Sequence, residues 1–202
     1  EFGWNRAVIS TAVAINIALF GLIGPFAASA MDRWGVPRVI ICALALLAAS
    51  VALTTRMQTQ WELTLLWGVL VGTGTGVTSM VLAAIIANRW FDERRGLVLG
   101  ALSAANATGQ LIFPPVLASL VAEYGWRTAA LLVAAAAAIV FVIVLIFMRD
   151  RPEDLGLLPC GRAAGASVSA ARAPAPLAAL PMAVRTRAFW LLAGTFFVCG
   201  AS

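Results

Sequence analysis

Five apolar runs, each long enough to cross a membrane, fill most of this 202-residue chain and constrain its fold more than any other feature. They lie at roughly 7–31, 36–55, 62–87, 96–121 and 128–148. A helix rising ~1.5 Å per residue needs about 20 residues to cross a hydrocarbon core about 30 Å thick, and each run supplies them. A sixth begins at Phe189 and reaches only Ser202. Because backbone groups in lipid must be satisfied within the segment, such runs fold as helices. The expected architecture is an all-α membrane protein with five transmembrane helices and a truncated sixth. Residues 1–148 would form an incomplete N-terminal bundle, 149–187 a linker, and 188–202 the start of a second half.

Charge agrees with this reading. Only 11% of residues are charged against 62% hydrophobic, which excludes an ordinary soluble domain. All 14 basic residues are arginines, and the net charge of +5 raises nucleic acid as a partner. Nucleic-acid-binding domains gather basic residues on a soluble face, whereas these lie between apolar runs, so no nucleic-acid partner is expected. Eleven of the arginines fall in one set of alternate loops and three in the other. Basic residues mark the cytoplasmic side, so the turn between the first two runs and the 149–187 linker are expected in the cytoplasm and residue 1 outside. The expected location is a plasma or bacterial inner membrane.

The runs differ in polarity. Those at 36–55 and 128–148 have no glycine or proline and hardly any polar side chain, so they can face lipid. The other three carry glycines, prolines and amides, which belong at helix contacts or around a water-filled cavity. The order is inner, outer, inner, inner, outer. One more inner helix in front would complete a twofold repeat of three, so an upstream helix is expected.

Candidate functional residues sit on the inner runs. Gly68, Gly72 and Gly76 form a doubled GxxxG stripe with Thr75, Ser79 and Ala83, suited to tight helix packing and to sliding contact. Gly96, Gly100, Ser103, Asn106, Gln110 and Pro114 share one face of the fourth run, and Gly109 lies beside it. Asn106 and Gln110 either bond neighbouring helices or line a solute path, Asn16 on the first run poses the same choice, and Thr75, Ser79 and Ser103 are further candidates to line that path. Pro114 and Pro115 should bend or interrupt their helix. No ionisable residue lies near the middle of a span: Asp32, Glu62 and Glu123 sit at the edges. There is no histidine, and Cys42, Cys160 and Cys199 are far apart, so no catalytic residue, metal site or cofactor is expected.

The turn "DRWGVPR", Asp32 to Arg38, resembles part of the signature loop between the second and third helices of the major facilitator superfamily. "WFDERRGLVLGALSAANATG" is similar to the loop and fifth helix of its monocarboxylate and oxalate/formate antiporter-like members, matching at Phe91, Arg94, Arg95, Leu97, Gly100 and Gly109. "EFGWNRA" and "RDRPEDLGLLPCG" are similar to the same branch, while Ala28 stands where the family has glycine. The resemblance implies that the runs are helices 2 to 6 and the start of helix 7 of a twelve-helix transporter. It implies a secondary transporter moving a small solute, an organic anion such as a mono- or dicarboxylate, by alternating access. Its partners would be that solute, the lipid bilayer, and the first helix and C-terminal half of the same protein. The loop Asp32, Arg33, Gly35, Arg38 would be a conformational latch, Asp32 meeting a helix start in the other half with Arg33 and Arg38 as its partners. Arg94 and Arg95 would serve the second cytoplasmic loop. A non-transporting membrane sensor or assembly partner built from the same helices is the alternative.

Overall fold

The computed structural model describes residues 6–91, 93–150, 181–182 and 184–201. Helix α1, Arg6–Trp34, is separated from α2, Val36–Thr54, by Gly35 alone. Gly35 has φ 88°, a left-handed value that a side chain disfavours, and its N–H still donates to Met31 O at 3.0 Å to close α1. Pro37 falls in the first turn of α2, where its missing N–H has no intrahelical partner to lose.

The third apolar run is not one uniform helix. A capping box starts it: Thr59 Oγ1 accepts from the Glu62 N–H, and the Glu62 carboxylate accepts from the Thr59 N–H. Helix α3, Gln60–Leu63, then widens into a π-helical segment, Thr64–Val71, and tightens again into α4, Gly72–Val77. Thr78 and Ser79 leave helical geometry before α5, Met80–Trp90. Helices α6, Arg95–Tyr124, and α7, Trp126–Phe147, follow. The single residue between them, Gly125, has φ 82° and ψ 160°, nearly the values of Gly35, 88° and 149°. Five membrane-length helical stretches result, close to the runs read from the sequence.

The core lies where α2 meets its neighbours. Ala27 and Met31 of α1 pack with Val36, Ile40 and Leu44 of α2, and Phe141 and Val144 of α7 press against them. Apolar α7 is largely exposed, as a helix that can face lipid would be, but the likewise apolar α2 is not. The apolar α2 is the best covered helix, whereas no residue of α6 is buried. An apolar helix packs as well on protein as on lipid, and the polar face of α6 borders open space. Of the bend or interruption expected at Pro114 and Pro115, the interruption does not occur: α6 runs unbroken through them. Proline's φ near −65° is itself helical, so the cost is confined to the hydrogen bonds lost at the Gln110 and Leu111 carbonyls.

Residues 1–166 and 167–202 form separate compact units. In the second, α8, Arg187–Ala201, begins two residues before the sixth apolar run, with the Phe189 N–H donating to Thr186 Oγ1. Most of the expected 149–187 linker lies outside the described residues.

Candidate functional site

At the arginine-rich end of the bundle one guanidinium joins two carboxylates. Arg89, in the last turn of α5, is only 15% exposed; its Nη1 donates to Asp150 Oδ1 at 2.6 Å and its Nη2 to Asp32 Oδ1 at 2.9 Å. The same Asp150 oxygen accepts from the Val36 N–H at 2.8 Å, which places a carboxylate on the positive N-terminus of α2. Gly35 lies beside this contact: a Cβ there would touch the Asp150 carboxylate at 3.4 Å. The cluster thus ties the end of α1, the start of α2, the end of α5 and the segment after α7.

This arrangement corrects the partner assignment for Asp32. Arg33 and Arg38 are exposed and neither joins an ion pair among the described residues; Arg89 holds Asp32 instead. Asp32 and Arg33 are neighbours at the end of α1, where adjacent side chains diverge by about 100°. Arg89 and Asp150 were not singled out from the sequence. Their signal was a lone cation ending the third run and an acid set between Arg149 and Arg151. Nearby, Arg94 holds φ 57° just ahead of α6, and Arg95 Nε donates to Phe91 O at 2.6 Å, closing the C-terminus of α5.

Further into the bundle, a cavity of about 450 Å³ opens between α1, the α4–α5 break and α6. Thr75, Ser79, Asn106 and Gln110 line it, four of the six residues expected around a solute path, with Thr78 and Phe20 beside them. Thr75 Oγ1 donates to Val71 O or Gly72 O, and Thr78 Oγ1 to Gly74 O or Thr75 O, so each hydroxyl proton is committed to its own helix and each oxygen keeps acceptor capacity. Asn106 and Gln110 make no hydrogen bond within the described residues, which leaves both amides able to donate and accept. Ser79, the N-cap residue of α5, makes no capping bond with its side chain. Every polar group on the wall is neutral.

The other two candidates lie elsewhere. Ser103 is half-buried and does not line the cavity. Asn16 Nδ2 donates to Trp67 O at 2.7 Å, joining α1 to the π-helical segment where its wider ladder is turned toward α1. The glycine stripe explains how the two helices come so close. A Cβ on Gly68 would stand 3.2 Å from Ala12 O, one on Gly72 3.0 Å from Asn16 Cα and O, and one on Gly76 would overlap the Ile23 side chain. The glycine edge is therefore set against α1, and Thr75, Ser79 and Ala83 look into the cavity. On α6, Gly100 meets no atom within 4 Å, Gly109 meets only the Phe113 ring, and Pro114 lies within the unbroken helix.

The family model of the Major Facilitator Superfamily matches residues 1–202. The chain belongs to the major facilitator superfamily. It is thus an integral, multi-pass membrane protein, in keeping with its five membrane-length helices. Among relatives of this superfamily member, an MFS-type transporter of Bacillus subtilis is 26% identical over 151 residues, 75% of this chain and 37% of the relative. Monocarboxylate transporter 14 of Mus musculus is 24% identical over 159 residues, 79% of this chain and 31% of the relative. The membrane sensor protein UhpC of Salmonella typhimurium is 30% identical over 105 residues, 50% of this chain and 23% of the relative. The chain spans well under half the length of each.

Proposed function

We propose that this chain is part of a secondary transporter that moves a small organic anion, such as a mono- or dicarboxylate, by alternating access. The observation that carries the reading is the cavity at the α4–α5 break. Broken helices in transporters occur where backbone borders a solute path, and a volume of about 450 Å³ suits a small molecule. The Asn106 and Gln110 amides and the Ser79 hydroxyl can donate to a carboxylate, and the N-terminus of the eleven-residue α5 opens beside them. The neutral wall assigns full charge neutralisation to other parts of the longer protein. A preceding helix and a C-terminal half would cover α6 and close the path. The Asp32–Arg89–Asp150 cluster then acts as a latch on the cytoplasmic side, the side that the arginine asymmetry favours.

The full-length protein in liposomes tests this by carboxylate counterflow, beside Asn106→Leu and Gln110→Leu variants. Each lost hydrogen bond of about 1 kcal/mol should raise KM about fivefold. Absence of flux for every carboxylate tested would sink the anion assignment, and unchanged KM in both variants would sink the cavity. The likeness to a membrane sensor protein favours a second reading, a non-transporting receptor. Solute binding followed by tryptophan fluorescence, with no flux, would select it.

A further inference from the structure

With Asp32 and Asp150 both held by Arg89, the exposed Arg38 of the signature loop joins no ion pair among the described residues, and its surroundings point to a partner outside the protein. Arg38 and Trp34 stand at the rim of a groove of about 410 Å³ between α2 and α4. Below the rim its walls are mostly hydrocarbon, including Cys42, Leu46 and Val77, with Thr73 the lone hydroxyl; Thr73 Oγ1 already donates to Val69 O. Among the described residues no carboxylate lines it. From Arg38 to Leu46 is eight residues of α2, about 12 Å at ~1.5 Å each, close to the half-thickness of a hydrocarbon core. The groove therefore begins at the headgroup level and ends near mid-bilayer.

We propose that this groove binds one anionic phospholipid from the leaflet at the arginine-rich end. The lipid phosphate sits on the Arg38 guanidinium, whose planar fork suits a bidentate phosphate contact. Trp34, 60% exposed, lies at the interface depth that tryptophan favours, and an acyl chain fills the apolar slot below. Arg33, exposed one residue before Trp34, adds a second positive charge at the same helix end. Charge complementarity selects the occupant. A zwitterionic lipid would bring a quaternary ammonium to a rim that, among the described residues, has arginines and no free carboxylate.

Native mass spectrometry of the full-length protein, released from nanodiscs of equimolar phosphatidylglycerol and phosphatidylcholine, provides the test. One retained phosphatidylglycerol is expected, favoured roughly fivefold by one interfacial arginine. Arg38→Gln should remove the preference, Arg38→Lys should largely keep it, and Thr73→Trp should lower retention by filling the slot. Millimolar inorganic phosphate should not displace the lipid. Equal retention of the two lipids by the wild type would overturn the proposal, as would no retained lipid, which would mean that another part of the protein fills the groove. A preference that survives Arg38→Gln would also overturn it. Should Arg38→Gln fail to elute as a folded species, unchanged retention in Thr73→Trp decides against the site.

Discussion

Asp150→Asn should destabilise the bundle more than Asp32→Asn, although only Asp32 lies in the signature loop. Asp150 accepts two bonds on one oxygen, 2.6 Å from Arg89 and 2.8 Å from the Val36 N–H, and its side chain is 30% exposed. Asp32 accepts one at 2.9 Å and is 54% exposed. A partly shielded, charge-assisted hydrogen bond contributes about 1.5–3 kcal/mol, whereas a solvent-exposed ion pair contributes about 0–1 kcal/mol. Asparagine keeps an acceptor for Val36, so the loss at position 150 is the charge: its pairing with Arg89, plus about 0.3–1 kcal/mol from the start of α2. The expected costs are about 2–3 kcal/mol for Asp150→Asn and about 0.5 kcal/mol for Asp32→Asn. Double-mutant cycles with Arg89→Gln, read by SDS-induced unfolding of the full-length protein in mixed micelles, isolate the two couplings. The Arg89–Asp150 coupling should be the larger and the less sensitive to salt. Equal couplings, or a larger one to Asp32, would refute the reasoning.

Two substitutions of the same type should differ in sign. Gly21→Ala meets open space and should stabilise α1 by about 0.4–1 kcal/mol, while Gly72→Ala pushes a Cβ against the Asn16 backbone and should cost about 1–3 kcal/mol; thermal unfolding of the purified protein distinguishes them. Asn16→Leu leaves Trp67 O without its donor and should lower stability by about 0.6 kcal/mol, at most about 1.7. Unchanged unfolding would mean that the Asn16 bond contributes nothing to the contact between the helices.

The helices were legible because hydrophobic length is a local property, and the spans differ from the observed ones by only a few residues at their ends. The polar cavity was legible for a related reason. Spacing near 3.6 put Asn106 and Gln110 on one face, and Thr75 and Ser79 on one stripe. Long-range pairing was not legible. Arg89 finds Asp32 57 residues away and Asp150 61 residues away, and Asp150 finds Val36 114 residues away. Such pairs depend on which helix ends meet, information that no short window holds. The π-helical segment was equally hidden, because "TLLWGVLV" is uniformly apolar and its period carries no contrast. Polarity misjudged the burial of α2, since it reports what a helix surface tolerates and not which neighbour covers it.

The two glycine turns give the inferred three-helix repeat a physical basis independent of polarity. Gly35 and Gly125 follow helices of 29 and 30 residues, precede helices of 19 and 22, and share nearly the same left-handed φ with an extended ψ. Both pairs, α1–α2 and α6–α7, thus pass from a long helix to a shorter one through a one-residue turn of nearly the same geometry. In the first copy the turn lies against the Asp150 carboxylate, which a Cβ on Gly35 would touch at 3.4 Å; in the second, a Cβ on Gly125 meets nothing within 4 Å. Gly35→Ala should then cost strain and disturb the charge cluster together, whereas Gly125→Ala should cost strain alone, about 1–2 kcal/mol for a left-handed residue. Unfolding measured with and without the Asp150→Asn change separates the two. If the extra cost at Gly35 persists without the carboxylate's charge, the turn is linked to the cluster only through steric contact and not through the ion pairs.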